Sequence, residues 1–242
     1  MMMLTVEEII KQNKLFYGFI PFIEVTIKVK QLPLYHQINF VCSCYERILP
    51  IYMLVNGNDG WGNVSILRSV GNDLWEIAGG GDVQEGTIAH LINKANEVFI
   101  EDNDKNTNDD WESRQGLYVY FGEEVSRIAR LVLEYIDTRS LNNYLEIFTT
   151  IIFVVCEYLD MYFANVVPNW GHKMPKDEEN AMLMNNSLMQ DELHKELADL
   201  EFLKNTPELT PEILSIFRKN SCFNGMGILG SLDTVRVNLE GI

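Results

Sequence analysis

Cys42 and Cys44 are the residues whose types and spacing first suggest chemistry, because two thiols this close can ligate a metal or form a reactive thiol site. His36 lies just upstream and could add a third ligand. A structural zinc site, however, needs about four ligands in paired clusters. Residues two positions apart on a helix also point about 200° away from each other. We therefore interpret both cysteines as buried thiols of a core helix and predict no metal and no cofactor.

Glu46 and Arg47 follow the cysteines and could form a catalytic pair. Charged side chains that become half-buried persist when they are paired, so a structural ion pair at a polar edge of the helix is the simpler interpretation. The catalytic alternative stays open at this point. It would place an enzyme or small-molecule site near Glu46, Arg47 and Glu76, in a cleft between helices.

Other motifs that carry catalysis do not occur in the sequence. The four histidines, His36, His90, His172 and His194, form no H-x-x-x-H or H-E-x-x-H arrangement. There is no G-x-S-x-G, no phosphate-binding loop and no dinucleotide fingerprint. The sequence therefore predicts that the protein is not an enzyme.

The segment 101–112, EDNDKNTNDDWE, holds six acids and one lysine and predicts an exposed loop. A calcium-binding EF-hand starting at Asp102 fails, because Thr107 stands where the turn needs Gly and Ser113 where a bidentate Glu belongs. A docking surface for a cationic partner fits better, since an aromatic residue beside charges is a common interface anchor. The candidate partner-binding residues are Glu101, Asp102, Asp104, Asp109, Asp110, Trp111 and Glu112.

The composition predicts an acidic, globular, cytoplasmic protein. The formal net charge is −16, and 47% of the residues are hydrophobic. A field of this sign repels phosphate backbones, so we expect no nucleic-acid binding. The apolar stretch 147–163 is shorter than the ~20 residues that a membrane span needs and contains Glu157 and Asp160, so we expect no membrane association. Four cysteines in apolar surroundings, and an N-terminus without the features of a signal peptide, fit a reducing compartment.

Helical periodicity dominates the chain and must position these residues. Apolar residues recur at helical spacing over 35–55, 64–78, 85–100, 116–136, 141–165, 186–205 and 211–220. The first thirty residues fit either a helix broken at Pro21 or a strand, and 168–180 predicts a second polar loop. Over 186–205 the predicted apolar stripe is Met189, Leu193, Leu197 and Leu200. The predicted fold is all-α, a single-domain multi-helix bundle of about seven or eight helices over 1–242.

Three segments, LPLYHQINFVCSCYERILPIY, GWGN and ILRSVGNDLWE, resemble the YjaG-like family of small all-helical bacterial proteins of unknown function. The family pattern has an aromatic residue and a Phe before Cys-x-Glu-Arg, then Pro-x-Tyr, a Gly-aromatic-Gly turn, an Arg and Trp-Glu. It matches here at Tyr35, Phe40, Cys44, Glu46, Arg47, Pro50, Tyr52, Gly60, Trp61, Gly62, Arg68, Trp75 and Glu76. The resemblance covers about 30–230 and leaves 1–29 and 231–242 as additions.

The resemblance implies a fold and no activity. It favours the core interpretation of Cys44. It also implies that Glu46, Arg47, Trp75 and Glu76 form a structural polar cluster that holds the first two helices together.

The acidic net charge, the lack of catalytic motifs and the predicted small all-helical fold together favour a binding function. Small, acidic, helical proteins without catalytic motifs are frequent among the immunity proteins of contact-dependent or polymorphic toxin systems. An acidic surface speeds association with a cationic toxin domain and mimics the phosphates that a nuclease binds. We therefore predict an immunity protein that binds and neutralises a cognate basic nuclease toxin.

Overall fold

The computed structural model describes residues 6–13, 17–59, 63–81, 86–98, 114–222 and 227–229, and within these ranges every regular element is helical. The predicted all-α fold is confirmed, but the described residues form ten α-helices rather than seven or eight. They are α1 (Val6–Asn13), α2 (Ile20–Lys30), α3 (Leu34–Asp59), α4 (Val64–Ala78), α5 (Thr87–Asn96), α6 (Arg114–Thr138), α7 (Leu141–Val166), α8 (Lys176–Asn185), α9 (Ser187–Asn205) and α10 (Pro211–Ser221), with a short 3-10 helix at Tyr17–Phe19 before α2.

The additional helices lie where the sequence is ambiguous. Pro21 stands at the start of α2, where its missing N–H costs nothing, so it begins the helix instead of breaking it. Helix α8 occupies the end of the predicted polar loop 168–180, because Asp177, Glu178 and Glu179 in its first turn favour a helix N-terminus. The predicted loop is therefore confirmed for 168–175, which form turns, and is wrong for 176–180, which are helical.

Helix α3 is the centre of the bundle and packs against α4, α6, α7, α9 and α10. It is apolar on nearly all sides, and Phe40, Val41 and Tyr45 are fully buried. Its two cysteines are buried free thiols on different sides of the helix. Cys42 donates to the Leu74 carbonyl on α4 at 3.7 Å, whereas Cys44 accepts from Arg47 at 3.3 Å. His36 lies apart from both and bonds the Thr206 carbonyl at 2.8 Å.

The predicted boundary at residue 30 coincides with the end of α2. Phe22, Val25 and Val29 of α2 are buried in the same core as α3. The C-terminal segment 231–242 lies outside the described residues, and so does the acidic segment 101–112.

Helix α7 is, among the described residues, the one helix long and apolar enough to cross a membrane by length and composition. Its most apolar window is 56% buried inside the fold. A core helix of a globular bundle has this property, so the length and composition of α7 carry little weight as a membrane signal.

Candidate functional site

Arg47 lies at the centre of a polar cluster buried between α3 and α9. Its side chain is fully buried. The guanidinium forms a bidentate fork with the Glu192 carboxylate, with Nε donating to Oε2 at 3.1 Å and Nη2 donating to Oε1 at 2.8 Å. Nη1 donates to Asp199 and to the Ser43 hydroxyl, both at 2.8 Å. Bidentate contacts of this kind are the strongest charged hydrogen bonds that side chains make.

Helix α9 supplies the acids of this cluster from one face. Glu192, Glu196 and Asp199 recur at four and three residues, so they share the stripe that also carries the buried Met189 and Leu203. Lys195 pairs with the second oxygen of Asp199. We call Ser43, Cys44, Arg47, Glu192, Lys195, Glu196 and Asp199 the buried seam.

Charge and burial act against each other in the buried seam. Burial lowers the pKa of Arg47, but the neighbouring Glu192, Cys44 and Asp199 raise it more, so this pKa lies well above its usual value. Burial likewise raises the pKa of the Cys44 thiol far above its ordinary range. The thiol is therefore neutral and acts as an acceptor for Arg47 rather than as a nucleophile.

Glu46 points to the other side of α3 and takes part in a separate contact. Trp75 of α4 donates its indole N–H to Glu46 at 2.8 Å, and Arg218 of α10 lies 3.4 Å from the same oxygen. Arg218 also stacks over the Trp75 ring, 5.7 Å from its centroid. These three residues connect α3, α4 and α10.

Glu76, the fourth residue of the predicted cluster, does not join either contact. It is exposed and lines a groove of about 330 Å³ between α4 and α5, together with Asp73, His90 and Lys94. The structure thus brings Glu46 and Trp75 together, places Arg47 in the buried seam and leaves Glu76 in this groove.

The acids of α9 are the site residues that sequence reasoning missed. The predicted stripe ran through Leu193 and Leu197, but Leu197 is 39% exposed and the acids are inside. A second helical stripe could have been found from the sequence. Its spacing fits an α-helix as closely as that of the predicted leucine stripe, and its residues are Met189, Glu192, Glu196, Asp199 and Leu203. Because Arg47 of α3 is buried and bonds Glu192 and Asp199, helix α9 turns the stripe with its acids toward the core.

A second group of acids lies at the surface where α6 packs on α7. Tyr120, Glu123 and Glu124 come from α6, and Glu157 and Asp160 from α7. Partial burial, followed by the charge of Glu124, raises the pKa of Glu123. Burial and the charge of Asp160 raise the pKa of Glu157 in the same way. We call these five residues the acidic seam.

Arg127 balances part of the acidic seam. It bonds Glu124 at 3.2 Å and also pairs with Glu146 of α7. Burial still leaves the pKa of Glu124 raised. The half-buried Tyr120 hydroxyl also has a raised pKa, first from burial and then from Glu124 and Glu157. The acidic seam therefore holds carboxylates that repel one another.

The predicted partner-binding residues Glu101, Asp102, Asp104, Asp109, Asp110, Trp111 and Glu112 all lie outside the described residues. The segment that carries them directly precedes α6, the helix that contributes Tyr120, Glu123 and Glu124. In the described part of the chain, no group of three or more His, Cys, Asp or Glu side chains could hold a metal ion.

Comparison with known proteins identifies the family. A family model described as "Protein of unknown function (DUF416)" matches residues 24–230 and so includes most of α2. The crystal structure of a DUF416 family protein from Shewanella baltica OS155 is similar with a TM-score of 0.68, over 85% of this chain and 96% of that chain. The two chains are 16% identical, so this likeness concerns the fold. None of the curated proteins matches the chain. The chain belongs to the DUF416 family of proteins of unknown function.

Proposed function

We propose that the protein is a cytoplasmic immunity protein that binds and neutralises a cognate basic toxin domain, a nuclease, through an acidic surface. We assign the acidic seam to this surface, and the acids of 101–112, which precede α6 in the sequence, are a second candidate contact. The protein acts by binding and carries out no reaction. Within the DUF416 family, the Cys-x-Glu-Arg pattern at Cys44, Glu46 and Arg47 favours membership of the YjaG-like group.

The observation that carries this proposal is the concentration of acids in the acidic seam. Glu123 and Glu157 reach solvent but are partly enclosed by their neighbours, and each has a raised carboxyl pKa because this partial burial, and then a neighbouring carboxylate, disfavours its ionised form. A cationic partner would relieve that repulsion on binding. The same field would steer the partner during diffusion, which raises the association rate.

The segment 101–112 carries six further acids, which come before α6 in the sequence. Carboxylates can compete for the same lysines and arginines that a nuclease uses on its substrate. Four free thiols are consistent with a reducing compartment, where such a protein would meet a toxin after its entry.

The test begins with a search of the neighbouring reading frames for a basic C-terminal domain, followed by a neutralisation assay with that domain. The wild-type chain should restore growth of cells that express the toxin, and it should bind the purified domain about tenfold or more weakly at high salt than at low salt. The double variant Glu123→Lys, Glu157→Lys should bind at least about tenfold more weakly and should lose protection.

A matched control separates the surface from the total charge. Asp191→Lys with Glu208→Lys changes the net charge by the same amount at two exposed positions on and after α9. This control should bind and protect almost as the wild type does. Equal loss in both double variants would mean that net charge, and not the acidic seam, governs binding. Full protection by the Glu123, Glu157 variant would refute the assignment of this surface.

A second candidate function, an enzyme or small-molecule-binding protein near Glu46, Arg47 and Glu76, is favoured by one observation. Glu76 lines the groove between α4 and α5, where carboxylates, an imidazole and an ammonium group face one opening. In this case a ligand screen by thermal shift should give a compound whose effect disappears in Glu76→Gln and persists in Glu46→Gln. Absence of any such compound would remove this candidate.

A further inference from the structure

The buried seam contains one acid, Glu196, that accepts no hydrogen bond. An arginine side chain has five N–H groups. In Arg47 they all have acceptors: Nε bonds Glu192, Nη1 bonds Ser43 and Asp199, and Nη2 bonds Cys44 and Glu192. The Ser43 hydroxyl donates its single hydrogen to Asp199 at 2.6 Å. Glu196 receives none of these bonds.

Glu196 is also completely enclosed. Its residue exposure is 0%, and neither carboxylate oxygen has a hydrogen-bond partner. An ionised carboxylate in such a place would lack both bulk solvent and a protein donor, which costs far more than the neutral acid does. The charges around it already balance, because Arg47 and Lys195 oppose Glu192 and Asp199. A third carboxylate charge would leave the seam with one unpaired negative charge.

We propose that Glu196 is a buried proton-binding site: it is held as a neutral carboxylic acid between α3 and α9, and loss of its proton loosens the packing of α9 on α3. This inference is independent of the proposed toxin-binding function. It assigns a pH-sensitive position to a helix that packs against α2, α3, α7 and α8.

Charged groups act on the ionisation of Glu196, and neutral groups from α3 and α7 complete its surroundings. Burial, followed by the charge of Glu192, raises the pKa of Glu196 well above its usual value, and Asp199 adds to this rise while Arg47 opposes it. From α7, Tyr144 is electrostatically linked to Glu196, and its hydroxyl donates to the Thr26 carbonyl on α2 at 3.2 Å. Cys44 of α3 is a further neutral neighbour. From α2, the Lys30 ammonium lies 4.9 Å from the Tyr144 ring centroid.

The sign of the pH effect follows from this raised pKa. The unfolded chain releases the Glu196 proton near the ordinary glutamate pKa of about 4.3, whereas the folded chain keeps it. The folded state therefore binds more protons above that pH. The contribution to stability is fully present below about pH 4 and is lost as the pH rises through the folded-state pKa.

The experiment compares the wild-type chain with Glu196→Gln, which keeps the shape of the side chain and cannot ionise. Infrared difference spectra at neutral pH should contain the carbonyl band of a protonated carboxylic acid in the wild type and lack that component in the variant. The wild-type Tm should fall from about pH 5 to about pH 9 more steeply than that of the variant. At the upper end Glu196→Gln should be the more stable chain, with a Tm higher by about 2–4 °C or more.

Glu179→Gln is the matched control. Glu179 accepts from the Gly171 N–H and from Lys176, both at 2.8 Å, and its pKa is lowered, first by the bond from Lys176. This variant should keep the infrared band and the wild-type slope of Tm above pH 5. The proposal is overturned if the wild type lacks the band, if the band survives in Glu196→Gln, or if Glu196→Gln is less stable than the wild type at high pH.

Discussion

The buried seam and the acidic seam both gather carboxylates from neighbouring helices, but they resolve the repulsion in opposite ways. In the buried seam a guanidinium and an ammonium pair with two of three acids, and a proton on the third completes the balance. In the acidic seam Arg127 pairs with Glu124 and Glu146, while Glu123 and Glu157 remain exposed beside other acids. Paired charges in the interior hold helices together in one arrangement, whereas exposed charges of one sign attract a partner of the opposite sign.

The largest expected effect comes from removing the cation of the buried seam. Arg47→Met would leave Glu192 buried without a partner and Asp199 with fewer bonds, which should lower the free energy of unfolding by about 3–5 kcal/mol. Urea denaturation measures this loss.

The double variant Arg47→Met, Glu192→Met sharpens the result, because it removes one charge of each sign and leaves Asp199 bonded to Ser43 and Lys195. It should recover a substantial part of the lost stability. A loss below about 1 kcal/mol in the single variant would contradict the central role of Arg47.

The second largest expected loss of stability comes from substituting Gly227, because this glycine lets residues 227–229 contact the turn of α3 that contains Arg47. The Ile228 N–H donates to the Arg47 carbonyl at 2.9 Å, and Gly227 has a φ of +74°. A Cβ at Gly227 would lie 2.9 Å from Cβ of Pro50. Gly227→Ala should therefore combine backbone strain with a clash and cost about 2–4 kcal/mol, measured by urea denaturation.

Gly171→Ala is the control for the clash. Gly171 has nearly the same φ, +73°, but a Cβ there would meet nothing within 4 Å. It should cost only the strain of a left-handed residue, about 1–2 kcal/mol. Equal losses at the two positions would mean that the contact with Pro50 relaxes without cost.

The sequence predicts the helices of this fold better than the contacts between them. Helix α4 begins and ends where predicted, and α7 and α10 begin at the predicted residues 141 and 211, directly after the N-caps Ser140 and Thr210, because periodicity and capping are local properties. The partner of Arg47 could not be found in this way. Glu192 lies 145 residues away, and the orientation of α9 depends on burying its acids against Arg47 instead of burying Leu197.

The prediction with the third largest effect concerns the contact beside the buried seam. Trp75→Phe removes the indole N–H that donates to Glu46 but keeps an aromatic ring against Phe217, which packs edge-on at a centroid distance of 6.1 Å. Because Glu46 keeps Arg218 as a partner, the loss should be about 1 kcal/mol, visible as a small shift of the urea midpoint. A loss as large as that of Arg47→Met would place this contact, and not the buried seam, at the centre of the packing around α3.

The smallest expected effect on stability comes from changes in the acidic seam. This prediction distinguishes most clearly between the roles of the acidic seam and the buried seam. Glu123→Lys with Glu157→Lys removes like-charge repulsion at two exposed positions, so the free energy of unfolding should change by no more than about 0.5 kcal/mol. The same variant should lose toxin binding, which titration against the purified toxin domain measures. If the free energy of unfolding of the variant falls by several kcal/mol, the acidic seam stabilises the fold, and the assignment of stability to one seam and binding to the other is wrong. If stability and binding both stay unchanged, the partner must contact another surface, and 101–112 becomes the segment to reverse next.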